Sequence, residues 1–365
     1  PGGDQILAAP FDLRSLAVTA PGTPLVSGLS GSGALRASSS FFVGESGDAV
    51  YPAGGVFVRG RATPVWVDRS GAVTPIDPDW RVSPVVSVSG MALSHDGNRL
   101  AVSSQAEDGS MDVWVKDLRG GPAQRLTVDA RVNSRPFWAP DDEEIYYFRD
   151  RTGAYVEGTL LAIPSDGSGG PREVLTDVGI GSGSWGVGHD WMIFRVGVPA
   201  RESRDVYGLE AGAVEPTALV ATPAMEQAPS LSRDGRWLLY QSDRSGEHNV
   251  FVRPFPDVDQ GLVQVSLDGG TEPRWARSRT EIFYRDADGR MVAATFGVDP
   301  EFRVTARDVL FDASAYWSDP AAQQYDVAPG DERFIMLERQ PGSGSLVVIW
   351  NWLDGVKARL EAEGG

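Results

Sequence analysis

Cysteine is absent from the 365-residue chain, histidine occurs only three times, and 33 basic residues face 50 acidic ones. The first absence excludes disulfides, thiolate metal sites and cysteine nucleophiles. It leaves the compartment open, because an oxidising one permits disulfides without requiring them. The formal charge of −17 argues against nucleic acid and anionic lipid as main partners. Such surfaces bind basic faces that release counterions and are repelled by a field of this sign. No apolar run approaches the ~18 residues of a spanning helix; the longest, 346–353, is interrupted by Asn351 and has strand length. An initiator methionine and a signal-peptide pattern are both missing at Pro1-Gly2-Gly3-Asp4. The sequence is therefore expected to begin inside a longer precursor, with any membrane link either removed or made through a partner.

What is present suffices for a large core: 41% of residues are apolar and 9% aromatic, alongside 43 glycines and 25 prolines. At ~150 residues per domain the length suggests two or three domains, although all-β architectures exceed that size as one unit. An internal repeat organises the chain. A short strand, a polar turn centred on Asp or Gly and a strongly apolar strand recur. Met91-Ala92-Leu93-Ser94-His95-Asp96-Gly97 leads into Leu100-Ala101-Val102, and Pro229-Ser230-Leu231-Ser232-Arg233-Asp234-Gly235 into Trp237-Leu238-Leu239-Tyr240. Turn centres at 47, 97, 142, 189, 235, 279 and 331 are spaced by 44 to 52 residues.

A third and usually a fourth strand follow each pair, as in Val113-Trp114-Val115 then Gln124-Arg125. Each unit is thus a four-stranded antiparallel meander of blade size. In Ile145-Tyr146-Tyr147-Phe148 and Trp237-Leu238-Leu239-Tyr240 both parities are apolar. Side chains alternate across a sheet, so these strands are covered on both faces, as stacked blades cover inner strands. A parallel α/β sheet would need crossover helices, and no long amphipathic pattern separates the strands. The expected fold is an all-β propeller over 1–353, of seven blades, with six or eight as alternatives. N-terminal strands within 5–28 are expected to complete the last, C-terminal blade and close the ring. Residues 354–365 read as a charged tail, at most one short helix.

The run Ser232-Arg233-Asp234-Gly235-Arg236-Trp237-Leu238-Leu239-Tyr240-Gln241-Ser242-Asp243 resembles the TolB-type, WD40-like (PD40) β-propeller family. Its continuation to Arg253-Pro254-Phe255-Pro256 is similar to propellers fused behind bacterial serine/threonine kinases, as are Gly269-Gly270-Thr271-Glu272-Pro273-Arg274-Trp275 and the closing Val347-Val348-Ile349-Trp350-Asn351-Trp352-Leu353. The resemblance implies an extracytoplasmic propeller that binds proteins or ligands, and it carries no catalytic residue set.

Catalytic readings find little support in the residues. The glycine-rich loop, strand lysine and aspartate motifs of a kinase are missing. The clusters Gly28-Leu29-Ser30-Gly31-Ser32-Gly33 and Gly181-Ser182-Gly183-Ser184-Trp185-Gly186 miss the Gly-x-Ser-x-Gly spacing of a hydrolase elbow. His95, His189 and His248 are far apart and read as turn residues, not zinc ligands. Asp96-Gly97 and Asp234-Gly235 read as tight turns, and Asp141-Asp142-Glu143-Glu144 as a solvated one. No cofactor and no metal site is expected. Trp66, Trp114, Trp138, Trp185, Trp191, Trp237 and Trp275 fall on strands and read as blade packing.

Two sets of positions are candidates for binding. Trp80, Arg81, Tyr316 and Trp317 lie in connections that lead into innermost strands, where aromatic and arginine residues anchor interfaces. Arg135, Glu226, Gln227, Glu272 and Gln324 stand just before inner strands and would line a channel mouth able to hold a small ligand. The expected function is a non-catalytic, periplasmic propeller for protein–protein interaction, a membrane-extrinsic subunit docked on a larger membrane complex. A ligand- or peptide-sensing propeller derived from a kinase-linked receptor and a metal-dependent lactonase or lyase are the alternatives.

Overall fold

The computed structural model describes residues 5–9, 11–12, 14–19, 21–27, 42–44, 46–53, 61–85, 88–106, 108–129, 131–150, 158–179, 181–186, 190–198, 203–340 and 345–363. The chain divides into two compact units, one of residues 60–340 and one combining 1–59 with 341–365.

The larger unit consists of six four-stranded antiparallel sheets, each a blade. The first blade has strands Met91–Leu93, Arg99–Gln105, Met111–Asp117 and Gln124–Arg125. The second has Asn133–Trp138, Glu144–Asp150, Gly158–Pro164 and Arg172–Val178. The third runs from Gly183–Trp185 to Thr217–Val220, the fourth from Gln227–Leu231 to Val263–Gln264, and the fifth from Thr271–Trp275 to Arg303–Asp312. The sixth joins Tyr325–Val327 and Arg333–Arg339 to Ala62–Asp68 and Val73–Pro75. Innermost strands neighbour one another in order, and the last lies beside the first.

Alternation along the second strand of each blade explains the packing. Ile145 and Tyr147 enter a cluster with the first blade's Ala101 and Val113, whereas Tyr146 and Phe148 enter one with the third blade's Met192 and Phe194. Leu238 and Tyr240 face Ile193, while Leu239 faces Ile282. Six such clusters fill the six contacts between adjacent blades, including the sixth with the first through Ile335, Leu337, Leu100 and Val102. Both faces of these strands are therefore buried, as the sequence pattern required.

Six blades, not seven, form the ring. The first sequence repeat supplies Phe42–Val43 and Ala49–Ala53, which pair with Ser345–Ile349 in a three-stranded sheet of the smaller unit. The strands that follow it, Ala62–Asp68 and Val73–Pro75, pair instead with Arg333–Arg339, so the sixth blade takes the outer pair of the first repeat. The segment expected to complete the last blade does not do so: Gln5–Ala8 pairs with Thr23–Ser27, and Phe11–Asp12 with Ala17–Val18. Trp352–Glu363 forms a helix at the C-terminal end. His189 and the 28–33 glycine cluster lie outside the described residues.

Candidate functional site

The centre of the ring holds a cavity of about 490 Å³, within the ordinary range for ligand sites. Its walls come from the innermost strands of all six blades. Ala92, Phe137, Ser184, Ser230, Arg274 and Asp326 sit at matching positions around it. At one end it reaches Arg135, Ser182, Ala322 and Gln323, and at the other the turns bearing His95, Arg233, Arg277, Ser278, Pro329 and Gly330. Arg233, Ser278, Pro329 and Gly330 are exposed, so the cavity opens at the turns. Arg135, Ala322 and Gln323 are buried, so the opposite end is shut.

The 317–324 connection shuts it. Glu272 Oε1 accepts from Ser318 Oγ at 2.5 Å and from the Asp319 amide at 3.2 Å, and its Oε2 accepts from the Gln324 amide at 2.7 Å. Gln241 Nε2 donates to the Pro320 carbonyl at 2.7 Å, and Gln324 Nε2 to the Ser89 carbonyl at 2.8 Å. The connection is thereby tied to the fifth, fourth and first blades. Glu272 is fully buried and pairs with Arg285 Nε at 3.4 Å. Burial pushes the Glu272 carboxyl up, with Arg285 opposing. Arg285 also donates to the Ala313 and Trp317 carbonyls, both at 2.9 Å.

Backbone geometry places this layer. Arg135, Ala228 and Glu272 adopt φ of 52°, 51° and 55°. Each precedes a proline and sits at an irregularity in its inner-strand ladder. Such left-handed residues outside glycine are strained, and the ladder interruption bends the strand. At the corresponding place in the first blade stands Gly90, where a Cβ would meet the Arg135 Cα at 2.9 Å. Burial lowers the Arg135 guanidinium to about 10, and the neighbouring Asp319 carboxylate works against that shift. Arg195, also buried, is pushed well down by the same desolvation.

The open part of the cavity is basic and aromatic. Arg274 Nε donates to the Tyr325 carbonyl at 3.2 Å and Nη2 to the Met91 carbonyl at 3.4 Å. Arg277 donates to the Ser94 and His95 carbonyls at 2.9 and 3.1 Å. Asp326 lies 3.9 Å from Arg274 and 3.6 Å from Arg277, and its Oδ2 accepts from the Leu93 amide at 2.9 Å. Burial alone would raise the Asp326 carboxyl, but Arg274 and Arg277 hold it below the usual range. Phe137, Trp138, Trp185 and Trp275 supply flat walls. Ser182 Oγ, Ser230 Oγ and Trp185 Nε1 have no hydrogen-bond partner among the described residues.

Sequence expectations for the site need revision. Arg135, Glu226, Gln227, Glu272 and Gln324 do lie at one end of the inner strands, but all are buried. Arg135 stands at the closed end, not at a mouth, and the connection from the fifth to the sixth blade folds over Glu272 and itself carries Gln324. Glu226 accepts from Thr222 Oγ1 at 2.6 Å, and burial raises its carboxyl. Tyr316 and Trp317 are buried as well, the former against Phe311 and the latter in the sixth–first cluster, so they pack blades together instead of presenting a surface. Trp80 packs on that same cluster with Lys116 over its ring at 5.7 Å. Arg81 alone of the four is exposed, and it donates to the Pro78 carbonyl. The acidic turn is not solvated throughout: Asp142 is buried and bonded to His95 Nδ1 at 2.7 Å.

Arg274, Arg277 and Asp326 escaped the sequence reading. A signal for two of them was present, since aligning Ala276 with Ala328 also aligns Arg274 with Asp326. Opposite charges at matching positions of adjacent blades point to one shared site.

No family model matches the chain. The uncharacterized peptidase YuxL of Bacillus subtilis is 23% identical over 218 residues, which are 47% of this chain and 33% of that protein. The chain thus spans a third of that curated relative. Among solved structures, a protein described as TolB from Agrobacterium tumefaciens aligns with a TM-score of 0.57 at 16% identity, covering 77% of this chain and 99% of the other. The tricorn protease aligns with a TM-score of 0.50 at 11% identity, over 79% of this chain and 27% of that one. At these identities the likeness is one of fold. The chain has the TolB-like β-propeller fold that its repeats resembled.

Proposed function

We propose that this chain is a binding propeller that recognises a protein partner and does not transform it. One observation carries the reading: a cavity open at one end, where arginines and aromatic rings converge on one carboxylate. Among the described residues, His95 bonds Asp142 through Nδ1 and no serine hydroxyl is bonded to a histidine ring. No group of three His, Asp or Glu residues there is arranged to hold a metal. The propeller works outside the cytoplasm, attached to a membrane complex through that partner. No helix among the described residues is long and apolar enough to cross a membrane. Mild solubilisation of native membranes and identification of co-migrating proteins tests this. A defined stoichiometric partner supports it, and fractionation with the cytosol as a free monomer overturns it.

A second reading rests on the peptidase relative: the chain is the propeller portion of a longer peptidase-like protein. Purified protein incubated with chromogenic peptide substrates distinguishes the two. Turnover would remove the non-catalytic reading.

A further inference from the structure

The charge of the cavity runs against the charge of the molecule. In a chain of net charge −17, four guanidinium groups, from Arg135, Arg233, Arg274 and Arg277, line one space with a single carboxylate, Asp326. Asp326 offsets one of them through its contacts with Arg274 and Arg277. Arg274 and Arg277 together thus carry one positive charge more than Asp326 offsets. Arg274 Nη1 donates to no described group, while Nε and Nη2 fix the guanidinium plane against carbonyls of the sixth and first blades. A fixed fork with free donors matches a carboxylate.

The other walls narrow the ligand further. Met91, Leu93, Phe137, Trp185, Leu231 and Trp275 give the cavity an apolar lining. Ser182 and Ser230 are both nine-tenths buried, line the cavity and have unpartnered hydroxyls. A buried polar atom without a partner is costly, so these hydroxyls are suited to groups that a ligand brings. The shape adds direction, since one end is sealed by Ala322 and Gln323 and the other opens among exposed turns. A chain can therefore enter end-first and continue outward, whereas neither end of it can pass through.

From this geometry we infer that the cavity captures the C-terminus of a partner polypeptide, its terminal carboxylate on Arg274 and an apolar or aromatic last side chain against Phe137, Trp185 and Trp275. The Ser230 hydroxyl, level with Arg274, meets a backbone group of the inserted end, and the deeper Ser182 hydroxyl meets the terminal carboxylate or a water beside it, a form of chain-end recognition. The inference rests on the binding reading above and specifies its partner chemistry.

The test uses the full chain and an acetylated tripeptide ending in phenylalanine, with a free carboxylate or as its amide, followed by calorimetry and tryptophan fluorescence. The free acid is expected to bind at least tenfold more tightly than the amide. 3-Phenylpropanoate, which has the carboxylate and ring without the peptide groups, is expected to bind more weakly than the tripeptide acid. Arg274→Gln should bring acid and amide to within twofold of each other. Arg233→Met, at an exposed position, should weaken the acid severalfold, and it serves as the second variant if Arg274→Gln fails to fold. Equal binding of acid and amide, tighter binding of 3-phenylpropanoate, or no binding at millimolar peptide overturns the inference. If none of these peptides binds but a stoichiometric partner still co-purifies from membranes, the C-terminal inference fails and the binding reading stands. Hydrolysis of the tripeptide defeats the binding reading itself.

Discussion

Asp142 of the second blade and Asp331 of the sixth occupy the same repeat position and perform the same task on the preceding blade. Asp142 accepts from the backbone amides of His95 and Asp96 at 2.9 and 3.0 Å. Asp331 accepts from those of Arg277, Ser278 and Arg279 at 2.5, 2.8 and 2.9 Å. Both adopt positive φ, 60° and 62°, which brings each carboxylate across the gap between blades. These staples hold the turns that carry His95, Arg277 and Ser278 around the open end of the cavity.

Removing either staple leaves amide donors without their partner near a blade junction. Asp331→Ala is expected to cost about 2–4 kcal/mol and Asp142→Ala somewhat less, because hydrogen bonds to a charged group are worth roughly 1.5–3 kcal/mol each. Urea unfolding of both variants measures this. A loss below ~0.5 kcal/mol for Asp331→Ala would show that the staple is dispensable.

Acid should dissolve the same staples. Burial pushes the Asp331 carboxyl up, but the Ser278 hydroxyl and the three amides hold it below the ordinary range. In Asp142, burial likewise raises the carboxyl, and bonds from the His95 ring and from two amides outweigh it. A carboxyl depressed in the folded state stabilises fully above its unfolded value of ~4 and loses that contribution as pH falls through the folded value. Glu272 has the opposite sign, its contribution being lost as pH rises. Melting temperature should therefore drop more steeply below pH ~4 in the native chain than in Asp331→Asn, and parallel curves would contradict the assignment.

Gly97 turns at φ +76° directly against the sixth blade, where a Cβ would meet the Pro329 Cδ at 2.6 Å. Both the dihedral and the contact forbid a side chain cheaply. Gly97→Ala is expected to destabilise by about 1–3 kcal/mol. Gly212, at φ +85° with nothing within 4 Å, is the control, and its alanine variant should lose less. Equal losses at the two sites would show that the close approach contributes nothing.

At the closed end, Glu272→Ala strands the Arg285 guanidinium in the interior and frees the 317–324 connection. A loss of about 3–5 kcal/mol is expected, the usual result of breaking a buried pair from one side. Arg285→Met added to it should recover part of that loss, since the uncompensated charge is then gone. Strict additivity of the two variants in chemical denaturation would mean that the pair is not coupled.

Much of the fold was legible in the residues. The turn spacing and the two-sided apolar strands Ile145-Tyr146-Tyr147-Phe148 and Trp237-Leu238-Leu239-Tyr240 required stacked four-stranded blades, because alternation puts each parity against a different neighbour. The number of blades was not legible, since the seven repeats do not state which strand Arg333–Arg339 will pair with. Ala62–Asp68 could belong to its own repeat or to the sixth blade, and both choices satisfy the same local pattern. The site was partly visible in the same way. Glu272 and Gln324 were placed at the inner end of their strands, yet their exposure depended on a connection whose course is set by bonds to residues scattered over three blades.

The sequence by itself determined the repeating unit and the burial of its strands, because a period of two and a recurring turn are local properties of the chain. Only the tertiary structure decided where the ring closes, which end of the cavity is open, and that arginines from separate repeats share one space with Asp326. Those outcomes depend on pairings between segments up to 277 residues apart, such as Arg333–Arg339 with Ala62–Asp68, and no local preference encodes the choice among equally compatible strands.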